Sequence, residues 1–328
     1  MKKGFILGKF YPFHKGHEAL ARKALEYCDS LTILVTKEVR ETISGELRAD
    51  WVRQVFADEG RVSVKLLHYD ESELPNSSVS SRDISRIWAR KLKEIFPTES
   101  LIFTSEPYGD YVAEYMGIAH IFVPQQGEVR ATLVRANPYK MWQSIPDVVK
   151  PYYQRKVVIL GTESVGKTTL SAQLARHYAA ALALEAGRDL IPNSAKMSLE
   201  DLQNVAASHA QYIRAALSEL RPLTIIDTDV HITQSYARFC LGENLTVGDE
   251  IMQANKADLY LYLRADVDFV QDGTRMSRAE RDGLDASHRA VLAEANIDFC
   301  EIGGNYSARF LEAIACIDAE FPQINTLE

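Results

Sequence analysis

Two stretches of this chain concentrate chemistry in a few residues. GKFYPFHKGH, Gly8 to His17, holds two glycines, a proline and two histidines three apart. GTESVGKT, Gly161 to Thr168, fits the spacing GxxxxGK[ST]. Both read as loops that cradle phosphate groups. In the first, Gly8 lets the backbone approach a ligand, Pro12 stiffens the turn, and Gly16 permits entry into a helix. His14 and His17 then sit at a helix start, where free backbone N–H groups and a partial positive charge favour anions. The helix dipole supplies only ~0.3–1 kcal/mol. That is too little to hold a triphosphate, so cationic help is expected from Lys9, Lys15 and a later arginine. Zinc binding by the two histidines lacks a third ligand in the sequence.

The second loop follows the apolar run KVVILG and opens a helical stretch, which is the context the motif needs. Backbone amides from Gly161 through Glu163, Ser164, Val165 and Gly166 would wrap a phosphate, with Thr169 beside them. Lys167 would reach the β- and γ-phosphates and Thr168 would hold Mg²⁺. TIIDTD, Thr224 to Asp229, is an apolar run ending in two carboxylates. Asp227 is the expected partner of Mg²⁺; Asp229 reads either as catalytic or as a cap on the next helix. DGTRMSRAERD offers Arg275, Arg278 and Arg281 as a lid that closes on phosphates. EAGRD places Glu185, Arg188 and Asp189 on the acceptor side.

The elements that must position these loops alternate strand and helix twice over. GFILGKF, LTILVTK, VSVKLLHYD, LIFTSEP and AHIFVPQ read as five buried strands, with HEALARKALEYC and SRIWARKLKEIF among the helices between them. KVVILG, TIIDTD, LYLYLRA and a shorter DFCEIGG continue the pattern, with a helix from Gly166 to about Ala181 and a long one over LEDLQNVAASHAQYIRAALSEL. Such alternation implies α/β architecture with two parallel-sheet domains, residues 1–150 and 151–328. NPYKMWQSIPDVVKPYYQR, with three prolines, reads as a linker between them.

The chain has 328 residues, 46% hydrophobic and 25% charged, with net charge −8. An acidic balance argues against DNA or RNA as a main partner. Cys28, Cys240, Cys300 and Cys316 form no CxxC pair and read as buried thiols of a reducing compartment. No apolar run approaches the ~20 residues of a membrane span. The apolar part of the N-terminus is too short for a signal peptide. A cytoplasmic protein is expected. The first strand is expected almost at the N-terminus, which leaves no room for a DNA-binding module ahead of it. Self-association is left open.

GxFxPxHxGH resembles the signature of the nucleotidylyltransferase superfamily, a Rossmann-like fold. The resemblance implies that His14 and His17 stabilise the phosphates of ATP, with Gly8 and Phe10 lining the nucleotide site. A second superfamily motif, ISxTxxR, is matched by VRATLVR. Thr132 and Arg135 fit it, and an arginine fork suits a triphosphate. Arg130 stands where the pattern has a small Ser; a cation there either adds a phosphate contact or obstructs the pocket. With GTESVGKTTL, EAGRD, ASHAQYI, IDTD and DGTR, the chain as a whole resembles the bifunctional NadR proteins, a nicotinamide-nucleotide adenylyltransferase joined to a ribosylnicotinamide kinase. The resemblance implies ATP, nicotinamide riboside, nicotinamide mononucleotide (NMN) and NAD as ligands. Trp88 would lie near the nicotinamide, where an aromatic face suits a cationic ring, or in the core. One of Asp189, Asp227 and Asp229 would orient or deprotonate the riboside hydroxyl.

Three other readings stand beside this one. The chain is a kinase alone, with a degenerate first domain; or it serves coenzyme A synthesis, which favours a TFDP-like first loop rather than KFYP; or it is a nucleotide sensor without catalysis.

Overall fold

The computed structural model describes residues 1–76, 80–125, 129–191, 197–266 and 278–324, the side chains of 188, 189, 278 and 279 excepted. The chain divides into two compact units, Met1–Lys150 and Pro151–Glu328. Each is an α/β unit built on a five-stranded sheet whose paired strands all run parallel.

In the first unit the strands are β1 (Lys3–Gly8), β2 (Ser30–Glu38), β3 (Val62–Tyr69), β4 (Leu101–Thr104) and β5 (Ala119–Phe122), in the order β3-β2-β1-β4-β5. The helices are α1 (Lys15–Ala24), α2 (Gly45–Val55), α3 (Arg82–Ile95), α4 (Tyr108–Met116) and α5 (Ala131–Ala136). Strand order reverses between β1 and β4, so a crevice opens at their carboxyl ends, directly below the first loop. The inner strands are near-continuous apolar runs because helices cover both faces. Phe5, Leu34, Ile102 and Leu92 are all within 1% of complete burial and meet in one core cluster. Phe5 and Phe96 stack with centroids 4.3 Å apart. Helix α3 contributes Trp88, Ala89 and Leu92 to that cluster. It starts where the Ser81 hydroxyl accepts from the Ile84 amide and ends ahead of Pro97.

The second unit carries β6 (Arg155–Leu160), β7 (Ala181–Ala183), β8 (Leu223–Asp227), β9 (Leu259–Leu263) and β10 (Cys300–Ile302), in the order β10-β9-β6-β8-β7. A helical turn, α6 (Lys150–Tyr153), spans the division between the units. The other helices are α7 (Lys167–His177), α8 (Gly187–Leu190), α9 (Leu199–Ser218), α10 (Val230–Tyr236), α11 (Asp249–Asn255), α12 (Arg278–Glu294) and α13 (Tyr306–Glu320). Residues Val158, Leu160, Ile226 and Tyr262 form the sheet side of its core, against Ile213 of α9 and Leu292 of α12.

Three expectations from the sequence need correction. The supposed linker is packed chain: Tyr139, Trp142, Ile145 and Val149 are buried, and the Tyr139 and Trp142 rings stack. Pro138 and Pro146 lie between short helical pieces, and Pro151 is the second residue of α6. Helix α7 stops at His177, four residues early, because the chain turns through Ala179 in the left-handed region. The four cysteines are free, but only Cys28 is buried; Cys240 is exposed. Among the described residues no helix is long and apolar enough to cross a membrane.

Leu92 tests the first core directly. Leu92→Ala is expected to destabilise the first unit by about 2–5 kcal/mol through lost burial and the cavity left behind. Denaturant unfolding measures this, and an unchanged midpoint would contradict the packing described.

Candidate active sites

The first loop joins β1 to α1. His14 occupies the N-cap of α1 with an extended backbone. Its Nδ1 accepts from the Gly16 amide at 3.1 Å, and His17 Nδ1 accepts from the His14 amide at 3.3 Å. This reciprocal arrangement is a capping box made by two imidazoles, where Ser and Glu usually serve. The two rings stack with centroids 3.6 Å apart, and Phe10 meets the His17 ring edge-on. Burial pushes His14 down to about 4; burial and then the neighbouring His14 push His17 well below its ordinary value. Both rings are therefore neutral near pH 7. A nitrogen that accepts a hydrogen bond carries no proton, so each ring proton sits on Nε2. The cap thus fixes two uncharged N–H donors.

Two glycines have specific work here. A Cβ on Gly16 would stand 2.9 Å from the His14 ring, so only glycine leaves room for the cap. A Cβ on Gly8 would stand 3.2 Å from the Phe10 ring, so Gly8 makes space for a side chain of the loop itself. Phe10 is buried with φ at 47°, an uncommon conformation for an aromatic residue.

The loop borders a cavity of about 920 Å³. Gly8, Lys9, Phe10, His14, His17, Trp88, Arg130, Thr132 and Arg135 all line it, and Lys15, exposed at the first position of α1, does not. Lys9 pairs with Glu41 at 2.9 Å. Burial, the largest single effect, lowers Lys9; the hydrogen bond it donates to Glu41 and the attraction of Tyr69 and Glu41 together outweigh it, and the group stays above its ordinary value. Arg135 donates to the Tyr11 carbonyl and lies over the Tyr11 ring. Trp88 answers both sequence readings at once. It lines the cavity, yet it is 9% exposed, donates its indole N–H to the Pro75 carbonyl at 2.9 Å and packs edge-on against Tyr69. Arg130 lies at the N-cap of α5 and its side chain is exposed, which makes it a residue of the cavity rim and not a plug.

Sequence reasoning missed Arg48. It is completely buried, donates to the Lys9 carbonyl at 2.5 Å and the Thr36 carbonyl at 3.3 Å, and pairs with Glu41 at 2.8 Å. It ties the loop backbone to β2. An arginine in an amphipathic helix ordinarily reads as solvated, so no local signal marks it.

The second loop joins β6 to α7. Ser164 and Gly166 take positive φ, and Gly166 is the N-cap of α7 without any side-chain cap. Lys167 is buried and its Nζ donates to the carbonyls of Gly161 at 2.9 Å and Thr162 at 3.0 Å. The Thr168 hydroxyl donates to Asp227 Oδ2 at 2.6 Å. Asp227 is fully buried at the end of β8. A hydroxyl and one carboxylate in contact suit a hard cation that takes its remaining ligands from water and phosphate. Val165 is buried, Thr169 is exposed, and Glu163 Oε1 accepts from the Tyr236 hydroxyl at 3.1 Å.

Asp229 takes the capping role that the sequence allowed. It is the N-cap of α10; Oδ1 accepts from the amides of His231 and Ile232, and Oδ2 pairs with His231 Nδ1 at 2.6 Å. Its oxygens are engaged and, like those of Asp227, fully buried. Arg275 lies outside the described residues, as do the side chains of Arg188, Asp189 and Arg278. Arg281 is buried and donates to the Ala265 carbonyl at 3.4 Å, so it faces inward rather than toward solvent. Arg309, which the sequence did not suggest, is 1% exposed and donates to the carbonyls of Val165, Arg264 and Gly304 and to Asp266. It holds the second loop as Arg48 holds the first.

Comparison with known proteins follows the same division. The family described as AAA domain matches residues 156–309. Over 96% of this chain and 82% of the relative, the sequence is 29% identical to the trifunctional NAD biosynthesis/regulator protein NadR of Salmonella typhimurium. The nicotinamide-nucleotide adenylyltransferase of Methanocorpusculum labreanum is 25% identical over 42% of this chain and 80% of its own length. A crystal structure of NadR protein in complex with NAD and AMP-PNP superposes with a TM-score of 0.68 at 20% identity, over 98% of this chain and 96% of that one. That structural likeness shows a shared fold.

Protonation links the first site to stability. His14 and His17 titrate below their unfolded values of about 6.5. The unfolded chain therefore takes up protons first, and stability is lost as pH falls from about 6.5 toward 4. His17→Gln keeps an acceptor but does not titrate, and should flatten this dependence in thermal melts from pH 7 to pH 5. An equally steep profile in the variant would contradict the cap.

Proposed function

We propose, from the chain's homology to the NadR proteins over nearly its whole length, that it is a bifunctional enzyme of NAD salvage. The second unit phosphorylates nicotinamide riboside with ATP. The first unit adenylylates the resulting NMN, giving NAD and pyrophosphate.

The observation that carries the reading is the reciprocal histidine cap opening on the large cavity. Adenylyl transfer needs a triphosphate held firmly while its α-phosphorus stays open to in-line attack. Two neutral Nε2–H donors stabilise charge that develops on phosphate oxygens without having to lose a proton. Arg135 and Arg130 line the same cavity as cations for the remaining oxygens. Trp88 adds an aromatic surface to its lining. Neither step needs a covalent enzyme intermediate; positioning and charge neutralisation supply the rate.

In the second unit the riboside 5′-hydroxyl attacks the γ-phosphorus of ATP, and ADP departs. Thr168 and Asp227 would hold Mg²⁺, which neutralises phosphate charge when bound. Lys167 and the amides of the loop orient the phosphates. Asp189, Asp227 and Asp229 are the candidates for orienting the hydroxyl, with Asp229 also serving as the cap of α10. Nicotinamide riboside, NMN, NAD and ATP are the ligands of this reading, the setting is the cytoplasm, and no nucleic acid is required.

Incubation with nicotinamide riboside and Mg-ATP should yield NMN first and NAD after it. Lys167→Ala should abolish the first step and leave NAD formation from NMN. His17→Ala should do the reverse, with a loss on the order of 10²–10³-fold. No NAD from NMN would support a kinase alone. Turnover of phosphopantetheine with nicotinamide substrates inert would support the coenzyme A reading, and unchanged turnover in both variants would contradict the site assignment.

A further inference from the structure

In the first unit, strand order puts β4 between β1 and β5. The loop after β1 carries His14 and His17, and the chain after β5 leads to Arg130, Thr132 and Arg135 of the cavity. The segment after β4 therefore belongs between the two groups of residues assigned to the triphosphate. Thr104, Ser105, Glu106 and Tyr108 line the same cavity. A buried chain of hydrogen bonds shapes this segment. Thr104 ends β4 and is 3% exposed. Its hydroxyl donates to the Glu106 carbonyl at 2.7 Å and accepts from the Glu106 amide at 3.2 Å. His120 Nε2, from β5, lies 2.9 Å from the same hydroxyl oxygen, and His120 Nδ1 lies 2.8 Å from Asp110 Oδ1 of α4. The His120 side chain is buried, whereas Asp110 reaches solvent. Gly109 makes the room: a Cβ there would stand 2.6 Å from Thr104 Oγ1 and closer still to His120 Nε2.

The donors and acceptors of this chain can be counted. A hydroxyl has one proton and a carbonyl only accepts, so the Thr104 proton lies on its bond to Glu106. Nε2 of His120 must then donate to Thr104. An ionised Asp110 only accepts, so Nδ1 must donate as well. All four bonds form together only when the ring is protonated. The surroundings supply one compensating charge. Strand β5 lies at the sheet edge and packs against β4 and α4. No ionisable side chain occurs on β4. On α4, Asp110 meets the ring, while Glu114 pairs with Arg82 at 3.1 Å and Tyr111 lies under the same guanidinium. Tyr115 packs against the core cluster. Burial, then Glu106, push the Tyr108 phenol up, so it is neutral.

We infer that Asp110, His120 and Thr104 form a relay that positions residues 105–108 of the cavity wall for ATP, and that His120 does so in its protonated form. Asp110 and His120 are positioning residues: they act on the cavity through Thr104 and the backbone of Glu106. This inference rests on the adenylyltransferase reading and adds a set of residues that tunes its hold on ATP.

The test is steady-state NAD formation from NMN and Mg-ATP between pH 6 and pH 8.5. Thr104→Val keeps the side chain's shape and removes its hydroxyl. It should raise KM for ATP about three- to tenfold, the worth of one or two hydrogen bonds, and leave kcat and KM for NMN within about twofold. Thr104→Ser keeps the hydroxyl and should hold the wild-type KM. His120→Gln should raise KM for ATP, relative to the wild-type chain, most at pH 6 and least at pH 8.5, because the wild-type ring itself gives up its proton as pH rises. Asp110→Asn, at an exposed position, should raise KM for ATP in the same way and serves should a buried variant fail to fold. An unchanged KM for ATP in all of Thr104→Val, His120→Gln and Asp110→Asn overturns the inference while the adenylyltransferase reading stands. Equal losses for ATP and NMN overturn it too, as does a ratio of His120→Gln to wild type that does not move with pH. No NAD from NMN with the wild-type chain overturns the adenylyltransferase reading and the inference with it.

Discussion

The amides at the start of a helix have no partners within the helix. Both candidate sites are arranged around that shortage. In the first unit His14 and His17 occupy the unpaired amides with their Nδ1 atoms, and the bonds turn both rings into Nε2–H donors. In the second, Gly166 caps α7 with no side-chain hydrogen bond at all, the arrangement that suits an anion at a helix start. One unit converts backbone donors into side-chain donors; the other keeps them as they are.

Amides can point at a ligand only if the carbonyls of the same loop are held elsewhere. Each unit assigns this to a fully buried arginine. Arg48 takes the Lys9 carbonyl, and Arg309 takes the Val165 carbonyl. Each has a carboxylate partner, Glu41 and Asp266, so its charge is compensated. A guanidinium suits this better than an ammonium because its planar fork donates in several fixed directions at once. The arginines that shape these loops are thus as important to the sites as the residues that face the cavity.

Much of the architecture was legible in the sequence because buried parallel strands are continuous apolar runs and phosphate loops carry glycine at set spacings. Gly161 to Thr168 stood out for that reason, and so did Gly8 to His17. What was not legible depended on contacts between distant residues. The histidines were readable as donors, but their capping bonds are a property of the folded turn. Arg48 and Arg309 look like ordinary helix-surface arginines until the fold buries them. The run around Trp142 reads as a tether because proline signals a break in pattern, whereas its aromatics pack. Asp227 and Asp229 are two residues apart in one motif, and only the start of α10 separates the carboxylate that meets Thr168 from the one that caps a helix.

The most direct test of this account is the tautomeric state of His14 and His17, read from long-range ¹⁵N–¹H correlations of the histidine rings, with His14→Asn and His17→Gln used for assignment. The account requires Nδ1 to be an unprotonated acceptor and Nε2 to carry the proton in both rings, unchanged from about pH 8 down to pH 5. An imidazolium at neutral pH, or a proton on Nδ1 in either ring, would contradict it.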